Sequence, residues 1–174
     1  MHVLLIGLRC SGKTTVGPLL AQRLGCPFVD LDDRTAAAAG CATAGEALRS
    51  LGEPEFRAAE VKALRGVLEA GAPMVVALGG GTPTAPGAAA MIMDAQARRA
   101  AVVVYLRASP EVLTERMRAG GHASRPSLTG AGAVEEAAVL FQRRDPLYAR
   151  LADRVVDATL PAAAIVEQVA SPGE

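Results

Sequence analysis

The chain is poor in aromatic side chains: of its 174 residues 3% are Phe, Tyr or Trp, and Trp is missing altogether. That leaves few of the stacking platforms on which single-stranded nucleic acid is held. Excess charge is also missing, with 18 basic residues against 18 acidic ones, and this argues against the basic stripe of a nucleic-acid binder. No apolar run approaches the ~20 residues of a membrane span. The opening Met1-His2-Val3-Leu4 has neither a basic leader region nor a small-residue cleavage site, so no export signal is expected. The three cysteines, Cys10, Cys26 and Cys41, are odd in number and lack C-x-x-C spacing. They suit free thiols in a reducing cytoplasm better than a disulfide framework or a zinc site.

What is present is an alternation of apolar runs with stretches of helical period. Val3-Leu4-Leu5-Ile6, Met74-Val75-Val76-Ala77-Leu78 and Val102-Val103-Val104-Tyr105-Leu106 read as strands. Phe28-Val29 reads as a short extended piece and Arg154-Val155-Val156-Asp157 as the last strand. The long runs are continuous rather than alternating, which points to a parallel sheet covered on both faces by helices. Helices are expected from Lys13 to Leu24, with Val16, Leu19, Leu20 and Leu24 inward, and from Glu53 to Ala70, with Phe56, Val61, Leu64 and Leu68 inward. Two more are expected, one capped by Ser109 with Pro110 and Glu111 in its first turn, the other from about Pro161. The whole, residues 1–174, reads as a single α/β domain. The stretch 119–132 holds Gly120, Gly121, Pro126, Gly130 and Gly132 and reads either as a mobile flap or as an idle surface loop.

Gly7-Leu8-Arg9-Cys10-Ser11-Gly12-Lys13-Thr14 matches G-x-x-x-x-G-K-[ST] in full, between a buried strand and an amphipathic helix. Glycines let the backbone wrap until its N–H groups converge on phosphate oxygens, and the helix start adds its positive end. Lys13 would reach the β- and γ-phosphates of ATP, and Thr14 would offer its hydroxyl to magnesium. A plain strand-to-helix turn explains Lys13 badly, because a cation in the first turn opposes the helix dipole.

Proteins with this loop commonly hold magnesium through an acid ending a second strand. The runs 74–78 and 102–106 end in Gly79 and Arg107 and supply none. The acids stand at Asp30-Leu31-Asp32-Asp33. In an extended segment Asp30 and Asp32 would face the same way, roughly 7 Å apart. One could then serve the metal and the other take a proton from a substrate hydroxyl. Alternatively Asp32 or Asp33 caps the next helix, and Asp157 is a weaker rival for the metal.

Arg57 and Glu60 are three apart and neighbours on one helix face. Gly79-Gly80-Gly81 offers bare backbone N–H groups at the carboxyl edge of a sheet, where open α/β sheets bind ligands. A backbone anion site beside an arginine suits a small carboxylate or phosphate. Arg116, Arg118, Arg125, Arg143 and Arg144 lie in or near the flap, and spacing does not select among them.

The segments GLRCSGKTTVG at 7–17, FVDLDD at 28–33, EFRAAE at 55–60, ALGGGT at 77–82, VVYL at 103–106, SRPSL at 124–128 and RRDPLY at 143–148 occur in one order. In order and spacing they resemble the shikimate kinases over essentially the whole chain. Members of that family phosphorylate the 3-hydroxyl of shikimate with ATP, upstream of chorismate. The resemblance implies a three-layer α/β sandwich with a five-stranded parallel sheet, a substrate-binding helical region at about 32–61 and a lid at about 119–132. It implies that Gly7, Cys10, Ser11, Gly12, Lys13, Thr14 and Thr15 surround the ATP phosphates, with Thr14 and Asp30 on Mg2+. Asp32 would hold the shikimate hydroxyls and act as base, alongside Lys13 and Arg125 as the other catalytic groups. Arg57 and Arg144, with Gly79, Gly80 and Gly81, would grip the carboxylate, and Glu60 would orient Arg57. Arg125 would contact the phosphates and Arg116 the adenine. A cytoplasmic monomer is implied, with ATP and shikimate as partners and neither nucleic acid nor membrane. Ser127 stands where the family often has a hydrophobic residue. Two rival readings share the loop: a kinase of another small hydroxy acid such as gluconate, and a nucleotide-binding module that has lost transfer. The first would not require Arg57 to meet Gly80, Gly81 and Arg144; the second predicts damage at Lys13, Asp32 or the clamp, and none is visible.

Overall fold

A computed structural model describes residues 1–119 and 133–171, with the backbone alone at 133–136. Strand β1 (His2–Ile6) is buried at every position. Successive strand residues point to opposite faces, so both faces of the sheet are covered. The other strands are β2 (Phe28–Asp30), β3 (Val75–Ala77), β4 (Ala101–Arg107) and β5 (Arg154–Asp157). They form a parallel five-stranded sheet in the order β2-β3-β1-β4-β5. Leu5, in the middle of β1, lies opposite Ala77 on one side and Val104 on the other.

Parallel neighbours need long crossovers, and helices supply them. These are α1 (Lys13–Leu24), α2 (Leu31–Ala38), α3 (Ala44–Leu51), α4 (Glu53–Leu68), α5 (Ala88–Ala97), α6 (Pro110–Ala119), α7 (Ala133–Leu151) and α8 (Ala162–Ala170). Helix α1 packs on α8, and α5 packs on α4 and α7. The chain leaves β1 toward β2 on one side and later crosses to β4 on the other. The carboxyl ends of β1, β3 and β4 therefore meet at a switch point, where sheets of this class bind ligands. Among the described residues no helix is long and apolar enough to cross a membrane.

Helix α1 has the expected limits but not the expected inner face. Val16, Gly17, Leu20 and Ala21 are buried, whereas Leu19 and Leu24 are more than 40% exposed. The cause is Gly17, whose missing side chain lets the Phe28 ring sit directly on the helix backbone. Contact at that small residue turns the larger leucines outward. Helix α4 stops at Leu68 rather than Ala70, and its buried line is Phe56, Glu60, Leu64 and Val67. Its inner face therefore carries a carboxylate. Helix α3 is capped by Thr43, whose Oγ1 accepts the Glu46 N–H at 3.2 Å, while Glu46 Oε2 reaches back to accept the Ala42 N–H at 3.0 Å.

Candidate active site

Beyond β1 the backbone takes conformations that only particular residues tolerate. Gly7 has φ +152°, and a Cβ there would stand 2.6 Å from Ser11 Oγ and 2.7 Å from the Leu106 carbonyl. Gly12 has φ +98° and Cys10 φ +63°. This wrap brings Lys13 back over its own loop, where Nζ donates to the carbonyls of Gly7 at 2.9 Å and Leu8 at 3.0 Å. Loss of hydration lowers the Lys13 pKa to about 8, against the pull of Asp32 and Asp30. Ser11 is buried, and Thr15 is exposed with its N–H on the Gly12 carbonyl at 3.0 Å.

The acids come together by a route other than the expected one. The strand ends at Asp30, and Leu31 already begins α2, so Asp32 lies in a helical first turn rather than an extended segment. Asp30 is itself the N-cap: its Oδ1 accepts the Asp32 N–H at 3.0 Å, ahead of Asp33 or Asp32 in that role. Its Oδ2 accepts from Thr14 Oγ1 at 3.2 Å, joining the phosphate loop to β2. This pair of hard oxygen donors fits magnesium, which takes its remaining ligands from water and phosphate. Among the described residues no group of three or more His, Cys, Asp or Glu is arranged to hold a metal alone. Asp157 takes the N–H and hydroxyl of Thr159 at 2.8 and 2.7 Å, which draws its pKa down and commits it to a turn.

The glycine run after β3 is where the remaining side chains converge. A Cβ on Gly79 would collide with the Asp32 carboxylate and lie 2.8 Å from both Glu60 Oε1 and Thr82 Oγ1. A Cβ on Gly81 would lie 2.5 Å from Arg57 Nη1. The absence of side chains at 79 and 81 is thus what lets a carboxylate and a guanidinium rest on one short edge. Gly80 lies against the phosphate loop, since a Cβ there would be 3.4 Å from the Arg9 N. Beneath the edge, the buried Glu60 accepts Arg57 Nη1 at 2.5 Å and Thr82 Oγ1 at 2.7 Å. Burial disfavours the Arg57 charge, but Glu60, with Glu53 at 3.4 Å, more than restores it and raises the pKa. Arg144 is buried, and its Nη1 donates to the Gly80 carbonyl at 2.6 Å.

A family model for shikimate kinase matches residues 9–172. The chain belongs to the shikimate kinase family. The shikimate kinase of Oleidesulfovibrio alaskensis is 40% identical over 173 residues, spanning 97% of this chain and 94% of that protein. That of Nitratidesulfovibrio vulgaris is 41% identical over 169 residues, spanning 97% and 93%. Among solved structures, shikimate kinase from Acinetobacter baumannii in complex with shikimate matches with a TM-score of 0.83 at 28% identity, covering 97% of this chain and 89% of that one.

In this shikimate kinase family member Arg116 lies between the phosphate loop and the turn after β5, donating to the Cys10 carbonyl at 3.3 Å and the Ala158 carbonyl at 2.7 Å. Arg118 and Arg143 are exposed. Arg125, with 120–132 of the expected lid, lies outside the described residues. Thr82, Asp145 and Tyr148 carry contacts that sequence reasoning did not single out. Tyr148 donates to the Gly80 carbonyl at 2.6 Å, and its spacing of four from Arg144 puts the two on one face of α7. Asp145 accepts from Arg107 at 2.7 and 2.9 Å and from Tyr105 at 2.9 Å. Thr82, directly after the glycines, could have been found as the polar residue closing that run.

Proposed function

We propose that this chain phosphorylates the 3-hydroxyl of shikimate with MgATP, giving shikimate 3-phosphate and ADP. The observation that carries this reading is the glycine edge, which seats the Asp32 carboxylate on Gly79 and the Arg57 guanidinium on Gly81. A small hydroxylated acid needs both at once, a base for its hydroxyl and a cation for its carboxylate.

In the reaction the substrate oxygen bonds to the γ-phosphorus of ATP as the bond from that phosphorus to the β–γ bridging oxygen breaks. The hydroxyl proton passes to Asp32, and ADP leaves with the bond's electron pair. Lys13 meets the charge on the phosphates, with Gly7, Cys10, Ser11, Gly12 and Thr15 around them. Thr14 and Asp30 would hold Mg2+, which when bound neutralises phosphate charge. Arg57 and Arg144 take the carboxylate with the N–H groups of Gly80 and Gly81, and Arg116 borders the adenine. On sequence grounds Arg125 is assigned to the phosphates. We read the protein as a cytoplasmic monomer acting on small molecules; its 18 basic against 18 acidic residues speak against a nucleic-acid partner.

A coupled ADP-release assay with shikimate, and 31P NMR of the product, tests the reaction. Asp32→Asn is expected to lower kcat by about 10²- to 10⁴-fold, the usual weight of a general base, with ATP affinity nearly intact. A near-normal kcat in that variant would remove Asp32 from its role. Absence of shikimate turnover in the wild type would overturn the function.

A further inference from the structure

We propose that Tyr148 is a positioning residue for the acid group of the substrate, acting through the Gly80–Gly81 peptide. The proposal rests on the carboxylate reading of the glycine edge. Two donors from α7, the Tyr148 hydroxyl and Arg144 Nη1, each reach the Gly80 carbonyl oxygen at 2.6 Å. The peptide that follows is trans, and in a trans peptide the C=O and the next N–H point in opposite directions. Drawing the Gly80 oxygen toward α7 therefore aims the Gly81 N–H away from it. The backbone bonds of this turn, Thr82 N–H to Gly79 O and Thr84 N–H to Gly81 O, do not use that N–H. Gly81 is also where Arg57 rests, so the aimed donor and the guanidinium address the same anion.

Tyr148 is built to hold this aim. It is fully buried, and its ring meets Tyr105 edge-on, with centroids 5.5 Å apart and planes at 89°. Tyr105 is tied in turn to Asp145, which Arg107 grips with two nitrogens. Glycine on both sides of the peptide leaves it rotational freedom that other residues lack, and an outside clamp removes that freedom. Burial pushes the Tyr148 hydroxyl up to about 12, so it stays a donor throughout the neutral range. Arg144 cannot replace it fully, because the same guanidinium is assigned to the substrate.

Tyr148→Phe deletes the hydroxyl and keeps the ring contact. The KM for shikimate should rise about 5- to 10-fold, the weight of one hydrogen bond, with kcat and the KM for ATP within about twofold of wild type. The decisive comparison uses the analogue in which CH2OH replaces the carboxylate. With that acceptor kcat/KM should be the same for wild type and Y148F. 4-Aminophenylalanine at 148, which restores a donor on the same ring, should recover the shikimate KM. If Y148F does not fold, 4-aminophenylalanine is compared with 4-fluorophenylalanine instead. An unchanged shikimate KM, or an equal penalty with both acceptors, overturns the proposal and leaves the function standing. A wild type that turns over the alcohol analogue as well as shikimate overturns the carboxylate reading itself.

Discussion

Replacing Glu60 with Gln isolates the charge that lies beneath the clamp. Glu60 is 1% exposed and has one oxygen on Arg57 and the other on Thr82. Glutamine keeps the shape and can still accept from Thr82, but among the described residues it leaves Arg57 with Glu53, at 3.4 Å, as its remaining carboxylate. Removing one partner of a buried ion pair costs about 3–5 kcal/mol. The Arg57 side chain is 13% exposed, and its remaining carboxylate is a surface partner, so about 2–3 kcal/mol is expected here. At roughly 2–4 °C per kcal/mol for a domain of this size, Tm should fall by about 5–10 °C. An arginine no longer held in a fixed geometry binds a carboxylate less well, so the shikimate KM should rise about tenfold while the KM for ATP stays put. Differential scanning calorimetry and steady-state kinetics read the two effects separately. A double-mutant cycle sharpens the test: Arg57→Ala alone strands a buried carboxylate, and adding Glu60→Gln relieves it. The double variant should therefore be more stable than Arg57→Ala, by about 2 kcal/mol. E60Q melting with the wild type, or strictly additive losses, would refute a coupled buried pair.

The depressed pKa of Lys13 gives a binding signature. Above its value of about 8 the free lysine is largely neutral, and a triphosphate favours the charged form, so ATP binding should take up a proton and weaken as pH rises past 8. Calorimetry near pH 8.5 in buffers of different ionisation enthalpy measures that uptake, and zero uptake would contradict the buried-lysine picture. His2 gives a stability signature. Burial lowers its pKa below 6.5, so below that pH the unfolded chain binds the proton more readily than the folded one. The stability His2 contributes is present above pH 6.5 and lost as pH falls through the folded value. His2→Gln should flatten the acid limb of a Tm–pH curve, and an unchanged slope would exclude His2 as its source.

The strands and the phosphate loop were legible because their signals are local. A continuous apolar run such as Val102–Leu106 has few alternatives, and the loop motif fixes glycines and lysine at set spacings. What escaped depends on neighbours. The inner face of α1 turns on Gly17 meeting Phe28, a contact between separate elements. Asp30 and Asp32 both act on Lys13, but the spacing reads as an extended backbone where Asp30 caps a helix. The same short polar side chain that can serve a metal also starts a helix, and spacing does not separate those roles. Helix α5 reads AAAMIMDAQA, and its run of alanines carries little periodicity to read. Spacing makes Arg57 and Glu60 neighbours on one helix face, but the burial of Glu60 comes from Gly79 and Thr82, which close over it from a separate part of the chain. Tyr148 reached the site only through the fold, which brings α7 over the end of β3.

The most direct test of the central claim, that the glycine edge selects a hydroxylated carboxylate, is acceptor choice. MgATP turnover should be measured side by side with shikimate, gluconate, quinate and the common nucleoside monophosphates. Turnover confined to shikimate is the expected result. Comparable or faster turnover with a nucleotide would contradict the carboxylate clamp while keeping the phosphate loop. Comparable or faster turnover with gluconate or quinate would keep the clamp and overturn shikimate as the acceptor, and ATP binding without turnover of any acceptor would contradict phosphoryl transfer altogether.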